Sequence, residues 1–264
     1  MIILKVLSIR EPFATLIKTG KKKIETRSYK TNYRGELYIH ASGTIYKTIS
    51  DELTSLTKDI QINPGYIICK CRLVDCVYMT DEYVNEIKNN YQEYICGEYS
   101  LGRYAWVLDD IVPLDIPIKA KGQLNIWNYY NENEVMNLMT EIEFKEIELS
   151  DCKRPSEVVK SKIGNCLEQV ELERSCLKNN DWNIKTYLVK YGKSYHSFLI
   201  YEKNNKYYWF EHALLKYRGI HEYSSLDELL LDVKRKLAIK DECIYEYKKF
   251  SSVKELLDSF DLKI

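Results

Sequence analysis

The sequence predicts an α+β protein of two domains, and three features carry that expectation. Residues 1–130 are a succession of short Ile-, Tyr- and Val-rich runs broken by Asn32, Gly35, Gly43, Pro64 and Gly65, the punctuation of a small, mainly β unit. Residues 135–264 run helix, antiparallel strands, helix, which is an α+β order. Between them, polar Asn131-Glu132-Asn133-Glu134 reads as a linker. A chain of 264 residues has room for two domains of ordinary size.

The elements follow in order. Ile3 to Ile9 alternates as a strand does, and EPFATLIKTG reads as a short helix with Pro12 in its first turn and Gly20 at its end. KKIETRSY, GELYIHAS and GYIICKCRLVDCVYM read as strands, with a helix over TIYKTISDELTSLTKDI before the third. YAWVLDDIVPLDIP is a later strand, followed by GQLNIWNY. Past the linker, MNLMTEIEFKEIELS fits no single period, and CKRPSEVVKSKIG is a turn-rich approach. NCLEQVELERSCLKNN reads as a helix, since Leu167, Val170, Leu172 and Cys176 share one broad apolar face. Three strands are expected at IKTYLVKYG, YHSFLIYE and KYYWFEHAL, with Asn204-Asn205 as the hairpin turn between the last two. SSLDELLLDVKRKLAI is a helix capped by Ser224 or Ser225, with Asp227 and Glu228 in its first turn, and a final strand and helix close the chain.

Composition excludes several classes. With 45% hydrophobic and 30% charged residues the chain can bury a core and is not a disordered polymer. No apolar run approaches the roughly 18 residues of a membrane span, and MIILKVLSIREPF lacks the features of a secretory signal, so no membrane association and a cytoplasmic location are expected. The eight cysteines form no Cys-x-x-Cys pair and have no His-x-x-x-His nearby, which predicts free thiols, no metal site and no cofactor. Net charge is +0, yet residues 1–50 hold ten Lys/Arg against three acids, while residues 51–133 hold seven basic and thirteen acidic residues. The first domain is therefore expected to be dipolar, with one basic face.

LSIREPFATLIKTGKKKIETRSYKTNYRGELYIHAS resembles the ASCH family, the activating-signal-cointegrator homology domains of the PUA-like β-barrel fold. The LSI-x-x-P opening, GKKKIETR after Gly20, Tyr33-Arg34-Gly35, Ile39-His40-Ala41-Ser42, the strand GYIICKCRLVDC, Tyr104-Ala105-Trp106-Val107 and GQLNIWN all agree in order, over about residues 1–130. The resemblance implies a small barrel with a cleft beside GKKKIETR that takes single-stranded RNA or a nucleotide-like ligand. In that cleft Lys22, Arg27 and Arg34 offer donors to phosphate, Glu25 accepts from a base amino group, and Trp106 or Phe13 stacks. The plainer alternative is that Glu25 and Arg27, two apart on one strand face, pair with each other. Some small bacterial members are amidohydrolases acting on acetylated cytidine with a Lys and a Thr of a GRKTIT-like segment. Lys22 matches that Lys, but Glu25 stands at the Thr position, so the resemblance implies binding and not hydrolysis here. Phe13 replaces the Trp common after this Pro.

In the second domain, Ile163-Gly164-Asn165-Cys166 puts a cysteine at the start of a helix, where unpaired amide N–H groups favour a thiolate. His196 follows at the start of one strand and Glu211 on its hairpin neighbour, which can bring base and carboxylate side by side. Cys, His and carboxylate in this order suit thiol-based acyl transfer, with Glu202 and His212 as alternative partners. The plainer alternative makes Cys166 a buried helix residue and His196 a satisfied strand residue. Order and context resemble the transglutaminase-like superfamily of the papain-like fold over about residues 150–235. Leu167 departs from the Trp common after the cysteine, and Glu211 from the usual Asp. The expected whole is an RNA- or nucleotide-binding ASCH module joined to a cysteine hydrolase or acyltransferase acting on a protein or peptide amide. The alternative is a non-enzymatic RNA-binding protein with an inactive scaffold.

Overall fold

The computed structural model describes residues 3–46, 50–145, 152–191, 194–239 and 243–248. The chain divides into two compact units, with the division in the sequence between Tyr129 and Tyr130.

The first unit is a six-stranded mixed sheet with four short helices. Its elements are β1 (Leu4–Glu11), α1 (Phe13–Lys18), β2 (Ile24–Arg27), β3 (Gly35–Ile45), α2 (Asp51–Thr57), β4 (Tyr66–Tyr78), α3 (Asp81–Ile87), α4 (Tyr91–Ile95), β5 (Tyr104–Lys119) and β6 (Ile126–Tyr129). The sheet order is β2-β5-β4-β3-β1-β6, with β1 parallel to β3 and the other pairs antiparallel. Three strands separate β2 from β1 in that order, yet Arg27 of β2 donates to the Ser8 carbonyl of β1 at 3.1 Å. The sheet must therefore curl strongly on itself. Its inner face packs Leu7, Ile9, Leu37, Ile39, Ile68 and Trp106 against Ala14 and Ile17 of α1.

Two local departures from the sequence reading have physical causes. The helix expected over residues 44–60 is confined to Asp51–Thr57, because Thr44 and Ile45 extend β3 and Ser50 caps the helix through its hydroxyl. The helices α3 and α4 were not anticipated. Thr80 and Asn90 start them by accepting from the Tyr83 and Glu93 amides.

The second unit holds α5 (Glu132–Met139), β7 (Glu143–Phe144), α6 (Pro155–Ser161), β8 (Ile163–Gly164), α7 (Cys166–Leu177), β9 (Asn183–Tyr191), β10 (Ser194–Lys203), β11 (Lys206–Glu211), β12 (Gly219–Tyr223), α8 (Leu226–Leu237) and β13 (Ile244–Tyr247). Its antiparallel sheet runs β12-β11-β10-β9-β13. One apolar cluster joins α5, α6 and α7 to Leu188, Leu199, Tyr201 and Phe210; another joins α8 to Tyr187, Val189, Phe198 and Trp209. The sheet thus lies between two helical layers. Asn204 and Asn205 both have positive φ, +53° and +59°, which is the backbone of a type I′ hairpin.

The expected linker at 131–134 is the start of a helix. Asn131 and Glu134 form a reciprocal capping box, so the polar run is polar because it closes a helix end. Residues read as a turn-rich approach contain α6, with Pro155 at its first position. The expected final helix lies outside the described residues. Among those described, no helix is long and apolar enough to cross a membrane, and no cluster of three metal-ligating side chains forms.

Candidate functional sites

In the first unit a cavity of about 950 Å³ opens beside β2, lined among others by Ser8, Arg10, Phe13, Lys22, Glu25 and Arg27. Lys22 is 1% exposed and donates to the carbonyls of Ile24 and, at 2.8 Å, Cys96. Its ammonium is 3.7 Å from Glu25, whose other oxygen is 3.2 Å from Arg27 Nε. Glu25 is thus held between two cations, and the pairing of Glu25 with Arg27 raised from the sequence is present. Lys22 ties α4 to β2 and lies under the Phe13 ring at 5.7 Å. Phe13 meets Tyr46 edge-on at 5.4 Å, so an aromatic corner faces the same cavity.

Two of the residues named from the sequence are elsewhere. Trp106 is 1% exposed and does not line the cavity; it packs in the core, gives its indole N–H to the Tyr29 carbonyl and meets the Tyr29 ring edge-on. Position 106 points inward because its strand alternates, and a buried Trp offers no open face for a base. Arg34 also stands outside the cavity lining, where it binds the Thr31 and Tyr33 carbonyls and Asp75 at 3.0 Å. Its role there is to fix the turn before β3. Sequence reasoning in turn missed Glu93, which is 4% exposed and accepts from the Lys23 and Ile24 amides and the Tyr99 hydroxyl. A buried acid in a short helix gives no periodic signal.

In the second unit Cys166 occupies the first turn of α7. Asn165 caps the helix, its side chain accepting from the Glu168 amide at 2.9 Å while Glu168 accepts from the Asn165 amide at 3.0 Å. Glu168, 1% exposed, also accepts from the Lys153 amide, which fastens the preceding segment to this helix end. A Cβ at Gly164 would meet Val158 at 3.2 Å, so the close packing of α6 against this entry favours glycine.

His196 Nε2 lies 2.7 Å from Glu211 Oε2, and Glu211 Oε1 accepts from the Leu214 amide at 2.8 Å. The two are not opposite one another. The β10–β11 ladder pairs Leu199 with Phe210, so Glu211 lies beside Phe198 and His196 is its diagonal neighbour. The length of the Glu side chain spans that diagonal. Cys166 is an electrostatic neighbour of the His196 ring, whose Nε2 is committed to Glu211. Burial disfavours the imidazolium, but the Glu211 carboxylate and Cys166 outweigh it and raise the His196 pKa to about 10.

The group is enclosed. Cys166, His196 and Glu211 are 5%, 2% and 1% exposed, and the recess bordered by Cys166 and Glu211 has no room for a free water molecule. Gln169 on the next position of the helix face donates its side-chain N–H to the Gly164 carbonyl, and its oxygen accepts from His212 Nδ1. Of the alternative partners, His212 is thereby turned to Gln169, and Glu202 contacts Asn183 at 3.5 Å; neither reaches His196. Glu173, which sequence reasoning passed over, is buried two turns along α7 and borders the same recess. Burial first, then the nearby Glu211, drives its pKa well above the usual carboxylate range.

The profile of the ASCH domain matches residues 7–148. The chain belongs to the ASCH family. That match runs past the curled sheet of the ASCH unit and through α5. Among solved structures, a crystal structure of a mutant ZmASCH protein from Zymomonas mobilis is similar, at 18% identity over 53% of this chain and 83% of that one, with a TM-score of 0.28. No curated protein matches the chain.

Proposed function

We propose that this ASCH protein binds single-stranded RNA or a nucleotide in the cavity of its first unit and carries a transglutaminase-like cysteine hydrolase or acyltransferase in its second. Support for the first part is ASCH membership, the basic surplus of residues 1–50 and the aromatic corner at Phe13. The observation that carries the second part is the chain of contacts from Cys166 through His196 to Glu211 at a helix N-terminus.

In this reading Cys166 attacks an amide carbonyl as the thiolate and His196 gives the proton to the departing amine. Glu211 holds the imidazole so that Nδ1 faces the sulfur. The Cys166 backbone N–H at the helix start donates to the developing oxyanion. The substrate would be a protein or peptide amide, admitted by a local opening of the recess. The enclosure of that recess favours a second reading, in which the second unit is an inactive scaffold. Timed alkylation with iodoacetamide near pH 6, read by peptide mass spectrometry, separates the two. Modification of Cys166 well ahead of the other seven thiols supports the enzyme; modification no faster than theirs supports the scaffold.

A further inference from the structure

A second cluster of chemistry-bearing groups lies on the wall of the ASCH cavity, away from Lys22 and Glu25. Ser8 of β1 and His40 of β3 are direct neighbours in the parallel register. His40 Nε2 is 3.1 Å from the Ala120 carbonyl, which can only accept, so Nε2 carries the proton. Nδ1 is then an acceptor, and the group 3.2 Å from it is the Ser8 hydroxyl. Trp127 Nε1 donates to the same Ser8 oxygen at 3.1 Å, which leaves the hydroxyl hydrogen for His40. Ser8 is partly exposed and His40 buried, and both border the cavity.

The approach to this pair is kept open by backbone. A Cβ on Gly122 would fall 2.6 Å from His40 Cε1 and 2.9 Å from Ser8 Oγ, closer than any side chain could remain. Arg27 bonds the Ser8 carbonyl, and Arg10, which among the described residues makes no ion pair, lies over Tyr46 on the same cavity. Burial holds the His40 pKa below its ordinary value, so the ring is neutral and basic at neutral pH.

We propose that Ser8 is a nucleophile activated by His40, and that the ASCH cavity hydrolyses carboxylic esters of an anionic, nucleotide-sized molecule. Ser8 Oγ attacks the acyl carbon as its proton passes to His40 Nδ1. The ester C–O bond then breaks as His40 returns that proton to the leaving alcohol. Water, deprotonated by the same nitrogen, attacks the acyl-serine carbon; the C–Oγ bond breaks, the acid leaves, and His40 returns the proton to Ser8 Oγ. The Ala120 carbonyl fixes the His40 tautomer, and the Trp127 N–H stabilises the serine oxygen as it loses its proton. The cavity volume of about 950 Å³ sets the size of the substrate, and Arg10 its charge. This site does not depend on the cysteine site.

The test uses the full chain carrying Cys166→Ala, so that the candidate nucleophile of the second unit does not contribute, and a fluorophosphonate probe followed by peptide mass spectrometry. One adduct on Ser8 is expected, absent in Ser8→Ala and slowed about 100-fold or more in His40→Gln. No adduct on protein whose melting is unchanged, or equal labelling of His40→Gln, overturns the proposal. If His40→Gln does not fold, the pH profile of labelling decides. The groups against His40 are Ile67 on β4, Ser8, Trp127, Gly122 and the Ala120 carbonyl, none of them an ionisable group near neutrality, and the charged residues of the same cavity are Arg10, Lys22, Glu25, Arg27, Glu98 and Arg103. A rate that levels off above an inflection below pH 6.5 supports the pair, and one that climbs steadily with hydroxide overturns it.

Discussion

His196 and Glu211 meet at 2.7 Å across a strand diagonal, and this contact commits the Nε2 nitrogen of a ring that also feels Cys166. Neither residue is more than 2% exposed, so the pair is shielded from the screening that makes surface ion pairs weak. Under the proposed chemistry, Cys166→Ala and His196→Ala each abolish most turnover, and the double variant loses little more, because the groups act as a unit. Glu211→Gln is milder, since the carboxylate orients the base and transfers no proton. Additive losses in kcat/KM would count against a triad.

The raised His196 pKa makes a stability prediction that needs no substrate. The folded state holds this proton more tightly than the unfolded chain, whose ordinary value is 6.5. The stabilisation is therefore complete below pH 6.5 and is lost as pH climbs towards about 10. Chemical denaturation from pH 6 to 10 should show declining stability in wild type, and Glu211→Gln should flatten that decline. Equal slopes would mean that His196 is neutral in the fold.

Glu173 acts in the same direction for a different reason. Its buried carboxyl stays protonated while the unfolded chain releases that proton above the ordinary value of 4.5. Wild type is therefore handicapped as pH rises past that value. Glu173→Gln keeps the shape without the acid, so it should melt higher than wild type at pH 8, with the gain shrinking towards pH 4.5. A variant that melts lower at every pH would show that the carboxyl makes a needed contact.

Lys22 tests how far the ASCH cavity depends on its frame. Its ammonium satisfies two buried carbonyls, those of Ile24 and Cys96. Lys22→Met leaves both unpaired at about 1–3 kcal/mol each, so urea denaturation should show a marked drop in midpoint. Arg27→Ala removes a side chain that is about a quarter exposed and should cost far less stability. With single-stranded RNA, wild-type affinity should fall steeply with salt, and Arg27→Ala should lower both the affinity and the slope.

Legibility followed the range of the interaction that decides each feature. Helix α7 and the Asn204-Asn205 hairpin rest on neighbours within a few residues, and the sequence reading finds both. The capping box at Asn131 is equally local, yet its four polar residues read as a linker because polarity alone does not separate a cap from a loop. The ASCH resemblance together with residue type puts Trp106 and Arg34 in the cleft, whereas strand alternation buries one and Asp75, far along the chain, holds the other. The diagonal between His196 and Glu211 depends on the hairpin register, and the pairing of Ser8 with His40 on a parallel crossover. The hairpin spacing brings the first pair together in the sequence reading, though not its diagonal offset, whereas the second pair has no signature in spacing. Glu173 and Glu93 show the same limit, as acids whose burial is decided by elements folded over them.

The cysteines of β4 have a practical corollary. Burial pushes the Cys69 thiol up to about 12 and Cys71 higher still, and it does the same to Cys96 and Cys176, at about 11 and 12. In ordinary buffers these four remain protonated and inert towards maleimides. Site-selective dye attachment is thus available in the native chain without first removing cysteines from its core. Competition for a fluorophore narrows to Cys76, Cys152, Cys166 and Cys243, of which only Cys152 and Cys243 are partly open to solvent.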